Sequence, residues 1–250
     1  MIEKMDSYDN MIFGLRPVIE AINAGKTIDS LYIQTGLGSE VYAELKGLIK
    51  ENGISTKQVP IEKLNRFTRK NHQGVVAFVS PIEFHSIEDI LPQLYEEGKT
   101  PLLLILDRIT DARNFGAIVR TAECTGVDAI IIPKKNAAPI NADAVKTSTG
   151  AIFKIPICKE SDLKSVIEYV QSFGVKVVAA SEKTKKLLYE VDMKAPLAIM
   201  MGNEENGVSL SYIKASEEVA KLPMFGEIGS LNVSVACGAF LYECVRQRMS

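Results

Sequence analysis

The chain has 250 residues, of which 46% are hydrophobic and 24% charged, and it carries a net charge of −2. This composition is typical of a folded globular protein, and the length suits one large or two small domains. No apolar run approaches the roughly 18 residues of a membrane-spanning helix, and Met1–Asn10 lacks the order of a signal peptide. We therefore expect a cytoplasmic protein with no membrane contact.

The first block of the chain, residues 10–81, predicts a small α/β module. Two helices are expected, one with Pro17 at its first position and Gly25 after its end, the other from Ser39 to Asn52. Gly36 follows a strand, but the third glycine of a dinucleotide-binding fingerprint is missing, so a turn is expected there. The predicted strands are Leu31–Ile33, Ile54–Val59 and Val75–Val79.

Positive charge concentrates near the end of this module. Residues 57–72 carry five basic residues against one acid, although the net charge of the whole chain argues against nucleic-acid binding. Phe67 and His72 lie among them and could stack on bases. The cluster forms either a solvated helix face or an RNA contact. The candidate RNA-binding residues are Lys63, Arg66, Arg69, Lys70 and His72.

A linker is predicted over residues 82–100. Pro81 ends the first module, and a short helix is expected from Ser86 to Glu97. Pro92 should break or kink this helix, because proline lacks the backbone donor that a helix interior needs.

The second block, residues 101–250, alternates apolar strands with helices, which predicts a parallel sheet covered on both faces. In such a sheet, ligands bind beyond the carboxyl ends of the strands, so the loops after the strands are candidate sites. The predicted strands are Leu102–Leu106, Ala129–Ile132, Ile155–Cys158, Val175–Ala180 and Leu197–Met201. The predicted helices are Asn114–Thr125, Ser161–Phe173 and Asn232–Arg248.

The first candidate loop leads into the helix at Asn114, which is a good N-cap residue, so its role is either structural or functional. Gly116 and Arg120 lie one turn apart on that helix. We expect Gly116 to leave open space beneath Arg120, whose guanidinium could then hold a phosphate. The alternative is an ordinary surface arginine.

Two further stretches are rich in turn-forming residues. Gly202–Gly207 directly follows an apolar strand, and its glycines and asparagines either form a plain tight turn or allow close approach to a flat ligand. Leu222–Ser234 opens the last helix, which Ser230 or Asn232 can cap. A cap does not explain the glycines that precede it.

Together and in this order, the three stretches resemble the SpoU or TrmH-type branch of the SPOUT methyltransferases. The first block resembles the RNA-recruiting module of that family, which is similar to a ribosomal protein. The matching residues are Asn114, Gly116 and Arg120–Ala122; Gly202–Glu204 and Gly207; Leu222–Met224 and Ser230–Ser234; and, in the first block, Gly14, Val18, Glu20, Ala21, Leu31–Ile33 and His72–Val75. The family often has proline where Ala112 stands, so we expect a looser loop with activity retained.

This resemblance implies the fold, the cofactor and the assembly. The expected fold is an α/β parallel-sheet methyltransferase domain with a C-terminal trefoil knot, over residues 101–250, preceded by the RNA-binding domain. The knot would bring the second and third motifs together around S-adenosylmethionine. The implied protein is a homodimer with the active site near the interface. The implied cofactor-binding residues are Gly202, Leu222, Met224, Leu231 and Ser234.

The implied reaction is methylation of a ribose 2′-hydroxyl in RNA, with a guanosine of 23S ribosomal RNA as the expected target. Arg120 would act as a base or, since arginine stays protonated, as a phosphate clamp. Asn114 and Asn232 would orient the ribose, Glu204 would orient Arg120 or the RNA, and Ser230 is a further polar candidate. The alternatives are a tRNA 2′-O-methyltransferase and a non-catalytic RNA-binding protein of the same fold.

Other function classes lack the residues that they need. A nicotinamide-dependent oxidoreductase needs the full glycine fingerprint, and a nucleotide hydrolase needs G-x-x-x-x-G-K-S/T; neither is present. The four cysteines form no C-x-x-C pair, and neither of the two histidines lies near a cysteine. We therefore expect reduced thiols that pack as small hydrophobic side chains, and no metal site.

Overall fold

The computed structural model describes residues 10–250, which form two compact units. The first unit ends at Glu83 and includes Pro139–Ala142, and the second comprises Phe84–Ala138 and Asp143–Ser250.

Most of the segment that was predicted as a linker belongs to the second unit. Its helix α4 (Ile87–Glu96) buries Ile87, Leu91 and Leu94 in the core of that unit. The helix is continuous through Pro92, so the expected break is absent. Burial of Leu91 and Leu94 on both sides of the proline supplies packing that offsets the lost backbone hydrogen bond.

The first unit is a mixed four-stranded sheet with helices on both faces. Its elements are β1 (Met11–Phe13), α1 (Leu15–Asn23), β2 (Ile28–Gln34), α2 (Glu40–Glu51), β3 (Thr56–Val59), α3 (Ile61–Phe67) and β4 (Val75–Val79). The strand order is β1-β4-β2-β3, with β2 parallel to β3 and antiparallel to β4. Helices α1 and α2 pack on one face, and α3 packs on the other.

The sequence predicted most of this unit correctly. The helix predicted from Ser39 to Asn52 is confirmed and spans Glu40–Glu51, with Ser39 as its N-cap; the turn at Gly36 and the strand Val75–Val79 are also confirmed. The first helix begins at Leu15, so Pro17 is its third residue rather than its first. The fixed φ of proline is equally compatible with that position, because its backbone nitrogen still lies in the first turn.

The second unit is built on the predicted fully parallel sheet, which has six strands. They are β5 (Leu102–Asp107), β6 (Ala129–Pro133), β7 (Ile157–Glu160), β8 (Lys176–Ala180), β9 (Leu197–Gly202) and β10 (Glu218–Ala220). Their order in the sheet is β10-β8-β9-β5-β6-β7, and the central strands β5 and β9 are buried along their whole length. The other helices are α5 (Ala112–Cys124), α6 (Ala142–Ser148), α7 (Leu163–Ser172), α8 (Leu210–Ala215) and α9 (Val233–Arg248). The trefoil knot stays a prediction.

Three of the four cysteines are buried, as expected. All four are free thiols, and only Cys124 is exposed. Burial raises the pKa of the Cys158 and Cys237 thiols to about 12, so neither forms a reactive thiolate near neutral pH. Within residues 10–250, no helix is long and apolar enough to cross a membrane, and no cluster of side chains is suited to a metal ion.

The start of α5 differs from the prediction in a way that bears on the site. The helix begins at Ala112, and Asp111 is its N-cap. One oxygen of Asp111, Oδ1, accepts hydrogen bonds from the backbone nitrogens of Arg113 and Asn114, at 2.9 and 2.8 Å. Asn114 therefore lies inside the first turn, and its side chain is not used as the cap.

We expect Asp111→Ala to lower the free energy of unfolding by about 1 kcal/mol, because two helix donors lose their acceptor. For a domain of this size, that loss lowers Tm by about 2–4 °C, which thermal melts followed by circular dichroism will measure. Thr110→Ala is the matched control, because Thr110 is exposed beside the cap and has no hydrogen bond among the described residues, and it should leave Tm nearly unchanged. A decrease in Thr110→Ala as large as in Asp111→Ala would contradict the assignment of the cap.

Candidate functional site

The candidate site lies in the second unit, beyond the carboxyl ends of the parallel strands. The last residues of β5 and β9, Asp107 and Gly202, are paired side by side in the sheet. A cavity of about 1160 Å³ opens there, as the strand-end rule predicts. Its lining comes mainly from the segments that follow β8, β9 and β10: Ala180–Lys183, Met201–Ser211 and Ala220–Leu222, with Met224 and Gly229–Leu231.

The loop after β9 turns back on itself so tightly that only glycine fits at its start. A Cβ atom on Gly202 would lie 2.0 Å from both the carbonyl carbon of Gly207 and the backbone nitrogen of Val208. Asn203 closes the loop, since its backbone oxygen accepts from Gly207 N at 3.0 Å and its Oδ1 accepts from Asn206 N at 2.8 Å. The space beside Gly202 that the sequence suggested for a ligand is thus occupied by the loop's own backbone.

A buried carboxylate at the end of β5 ties this loop to the sheet. Asp107 Oδ2 accepts hydrogen bonds from the backbone nitrogen and the hydroxyl of Ser209, at 2.8 and 2.7 Å. Arg108 donates to both oxygens of Asp107, at 3.0 and 3.1 Å, and to the carbonyl of Gly207 at 3.2 Å. A buried carboxylate needs such partners, because an unpaired one is costly away from water.

Sequence reasoning missed this anchor. Arg108 has a φ of 58°, a left-handed conformation that costs a non-glycine residue about 1–3 kcal/mol unless its surroundings compensate. The ion pair with Asp107 and the bond to Gly207 provide that compensation. The available signal was a charged pair directly after a fully apolar strand.

Three residues that are distant in sequence meet in one hydrogen-bond network. Asn114 Nδ2 and Asn232 Nδ2 both donate to Glu204 Oε1, at 2.8 and 2.9 Å, and Asn232 Nδ2 also contacts Asn114 Oδ1 at 3.0 Å. Asn232 Oδ1 caps α9 by accepting from Ser234 N at 3.0 Å, and it accepts from Ser234 Oγ at 2.5 Å. We call Asn114, Glu204 and Asn232 the amide–carboxylate network; it joins all three motifs.

The remaining predicted residues divide into two groups. The first group lines the cavity. It contains four residues that were predicted to bind the cofactor, Gly202, Leu222, Met224 and Leu231, and two that were predicted to be catalytic, Glu204 and Ser230. Ser234 is absent from the lining and instead supports Asn232.

Arg120 is not brought into the network. It is exposed on α5, and in the described part of the chain it has no hydrogen bond or ion pair. It lies six residues beyond Asn114, which in a helix means about 9 Å along the axis and roughly 240° around it. The open space expected beneath it is absent, because a Cβ on Gly116 would lie 2.6 Å from Ala144 O of α6. Gly116 is thus a packing residue that lets α6 approach α5.

In the first unit, His72 has a structural role. It is buried, its Nδ1 accepts from Gly74 N at 3.0 Å, and its Nε2 lies 3.0 Å from Asn65 Oδ1. Its ring is therefore unavailable for the predicted stacking on bases. Phe67 is packed against the rings of Tyr32 and Phe78. The other predicted RNA-binding residues, Lys63, Arg66, Arg69 and Lys70, are exposed.

Comparison with known proteins covers both units. The model of the SpoU rRNA Methylase family matches residues 101–242, and a model described as RNA 2′-O ribose methyltransferase substrate binding matches residues 11–85. A protein of Bacillus subtilis named as a TrmH family tRNA/rRNA methyltransferase is 32% identical over 244 residues, which cover 98% of each chain.

Solved structures show the same likeness. An AdoMet-bound rRNA methyltransferase from Sinorhizobium meliloti is 28% identical, with a TM-score of 0.62, and the match covers 96% of this chain and 88% of that one. A TrmH/SpoU tRNA modifying enzyme from A. aeolicus is 31% identical with a TM-score of 0.55, and the match covers 65% of this chain and 84% of that one. With a family model over more than half of its length, this chain belongs to the SpoU rRNA methylase family of RNA 2′-O-ribose methyltransferases.

Proposed function

We propose that this enzyme transfers a methyl group from S-adenosylmethionine to the ribose 2′-hydroxyl of a guanosine in 23S ribosomal RNA, in the cytoplasm. The enzyme class and the methyl donor follow from membership of the family, whereas the nucleotide, the residue roles and the assembly are proposals. The observation that supports the proposal most strongly is the amide–carboxylate network, because it places polar groups from all three motifs beside a cavity.

The cavity fits S-adenosylmethionine in size and chemistry. Its volume of about 1160 Å³ accommodates a ligand of that size, since small-molecule pockets commonly enclose roughly 300–1,000 Å³. Leu222, Met224 and Leu231 supply apolar surface for the adenine ring, and the loop that begins at Gly202 supplies backbone polar groups. Glu182, which also lines the cavity, suits the positive amino group. When bound, the cofactor supplies an electrophilic methyl group on a positively charged sulfur.

The network is arranged to orient a ribose. Both amide donors are directed at Glu204 Oε1, while Glu204 Oε2 has no hydrogen-bond partner in the described residues. We assign Glu204 Oε2 to accept a hydrogen bond from the 2′-hydroxyl, which aligns that oxygen for attack and gives its proton an acceptor as the oxygen is methylated. Ser230, at the edge of the cavity, is a further polar contact for the RNA.

Arg120 is assigned to the RNA phosphate. Its guanidinium stays protonated under nearly all protein conditions, so phosphate binding suits it better than removal of a proton. It is exposed and has no acidic partner in the described residues, so its donors are available. A phosphate held by this guanidinium would fix the position of the nucleotide and so help to align its 2′-hydroxyl.

Ribosomal RNA is favoured over transfer RNA by the extent of the structural matches. The match to the rRNA methyltransferase of S. meliloti covers 96% of this chain, and the match to the tRNA modifying enzyme of A. aeolicus covers only 65%. A methyltransferase of ribosomal RNA therefore supplies a counterpart for both units of this chain, which supports that substrate. Transfer RNA is the second candidate.

Cells that lack this gene should lose one 2′-O-methyl group, at a guanosine of 23S ribosomal RNA, and the wild-type gene should restore it. Arg120→Ala should not restore it, because a misplacement of the reacting nucleotide by about 1 Å can lower turnover by about 100-fold. Ribose-methylation mapping by sequencing measures both outcomes.

The control for Arg120→Ala is calorimetry with S-adenosylmethionine, in which the purified variant should bind as wild type does. Restoration of methylation by Arg120→Ala would refute the central role of that residue. Loss of a tRNA methyl group instead of one in ribosomal RNA would shift the substrate to transfer RNA. Absence of cofactor binding, together with no lost methyl group, would favour the non-catalytic alternative.

Gly202→Ala should abolish binding of S-adenosylmethionine, because the new Cβ would force Gly207 and Val208 away and reshape the cavity. Isothermal titration calorimetry measures the loss. Gly226→Ala is the matched control, since a Cβ at Gly226 meets nothing within 4 Å, and it should bind the cofactor normally. Normal binding by Gly202→Ala would exclude this loop as part of the cofactor site.

We also propose a homodimer that forms through α9 and the loop before it. Val235 and Tyr242 in α9, and Met249 directly after its end, are exposed and seven residues apart, so they lie along one side of the helix. Phe225 and Ile228, in the preceding loop, are 97% and 76% exposed. Apolar surface of this kind is typical of a protein interface.

Sedimentation velocity should therefore give twice the mass of one chain, and Tyr242→Arg should shift the equilibrium towards the monomer by placing charge in an apolar contact. Tyr189→Arg is the matched control, because Tyr189 is equally exposed, at 59% against 57%, but lies outside the proposed interface. A monomeric wild-type chain, or equal effects of the two substitutions, would contradict this assignment.

A further inference from the structure

One face of the sheet in the first unit combines aromatic side chains with positive charge. Tyr32 in β2 is the register partner of Lys57 in β3. Leu31 and Ile33, on either side of Tyr32, are buried towards α1 and α2. Because successive side chains of a strand point to opposite faces, Tyr32 lies on the face that α3 covers.

The ring of Tyr32 is held firmly by two other aromatic residues. It lies 4.9 Å from the ring of Phe67 and 6.0 Å from that of Phe78, measured between centroids, and the last two rings are 5.3 Å apart. These distances and the tilted or edge-on orientations are those that aromatic pairs prefer. Phe67 belongs to α3, so the same contacts fix the helix that carries Lys63.

Two ammonium groups lie over this one ring. Lys57 Nζ is 5.6 Å and Lys63 Nζ is 5.7 Å from the centroid of Tyr32, so the two nitrogens are no more than about 11 Å apart. Neither lysine has a hydrogen bond or a carboxylate partner within residues 10–250, although both are exposed. On the opposite side of the unit, by contrast, Arg16 pairs with Glu44 at 3.0 Å. Two like charges over one ring, with no counter-ion among the described residues, favour the binding of an anion there.

The surroundings indicate which anion is recognised. Arg66, Arg69 and Lys70 extend the charge along the chain, and no carboxylate among the described residues pairs with them. The rings of Phe67 and His72 are already packed or buried, so the surface offers charge rather than a free stacking platform. Lysine binds a phosphate as a point charge, without reading the base.

We propose that Lys57 and Lys63, held over the ring of Tyr32, form a clamp for the phosphodiester backbone of the RNA substrate. This inference rests on the proposed function in taking RNA as the substrate, and it assigns the first unit a sequence-tolerant, electrostatic grip on that RNA. The clamp includes Tyr32 and Lys57, which the sequence pattern alone did not single out as RNA contacts.

The test compares two double variants of the full chain with equal loss of charge. Lys57→Gln/Lys63→Gln removes the clamp, and Lys46→Gln/Lys50→Gln removes two exposed lysines of α2, on the opposite side of the sheet. Binding of a mixed-sequence single-stranded RNA of about 20 nucleotides, which exceeds typical single-strand site sizes, is followed by fluorescence anisotropy at several salt concentrations.

The clamp variant should bind RNA roughly tenfold more weakly, and the slope of log Kd against log salt should fall by about one to two, because two phosphate contacts are lost. An RNA of permuted sequence should show the same change. The α2 variant should stay within about twofold of wild type. Equal losses in the two variants, or an unchanged slope in the clamp variant, would overturn the proposal.

Variants of Tyr32 separate the clamp from a simple loss of fold. Tyr32→Phe keeps the ring and should keep RNA affinity, whereas Tyr32→Leu removes it and should lose affinity although its circular dichroism spectrum matches wild type. Loss of affinity in Tyr32→Phe would contradict the role of the ring.

Failure of the clamp and failure of the proposed function are distinguishable. Methylation assays on 23S ribosomal RNA and calorimetry with S-adenosylmethionine are run on the same variants. The clamp variant should raise KM for RNA with kcat and cofactor affinity unchanged. Absence of methylation by wild type would refute the proposed function and leave the binding comparison valid, whereas unchanged RNA binding with normal methylation would refute only the clamp.

Discussion

The hydrogen bonds from Asn114 and Asn232 to a single oxygen of Glu204 are the interaction on which the rest of the site depends. The three residues come from the start of α5, the loop after β9 and the start of α9, and 118 positions separate the first from the last. The oxygen of each amide is also hydrogen-bonded: Asn114 Oδ1 accepts from Asn232 Nδ2, and Asn232 Oδ1 accepts from Ser234 N at the start of α9. Because hydrogen bonds to an ionised group are stronger than neutral ones, Glu204 selects one arrangement of the three segments.

That arrangement is possible only because the backbone beneath it is fixed. β5 and β9 are adjacent, fully buried and parallel, so Asp107 and Gly202 end at the same level. From there, Asp107 accepts a hydrogen bond from Ser209 and Arg108 donates one to Gly207, which fixes the end of the loop that carries Glu204. The loop is thus held to the sheet by the ion pair of Asp107 and Arg108, and to α5 and α9 by the two asparagines. The absence of a side chain at Gly202 lets its backbone close against Gly207 and Val208.

Much of this could be predicted from sequence, and the exceptions have physical causes. The strands of the parallel sheet were found because continuous apolar runs identify buried strands, whereas the short strand β10 and the helices α3 and α6 have little periodic pattern to detect. Asn114 and Asp111 are both good capping residues, so composition could not rank them; the structure shows that Asp111 makes the cap bonds. Gly116 and His72 were given functional roles because burial cannot be read from a single position.

Arg120 is a predicted site residue that the fold leaves outside the amide–carboxylate network. The amide–carboxylate network is closed within the chain, yet it contains no cation, and Arg120 lies elsewhere on the surface of α5. On the proposed mechanism, the RNA itself connects the two, with its ribose at Glu204 and its phosphate at Arg120. Positive charge in the first unit is likewise left without acidic partners in the described residues, at Lys57 and Lys63. Both features fit an enzyme whose cofactor cavity and hydrogen-bond network are formed before RNA binds, while its unpaired cations are available to RNA phosphates. Binding energy from those phosphates would then be used to align the reacting hydroxyl.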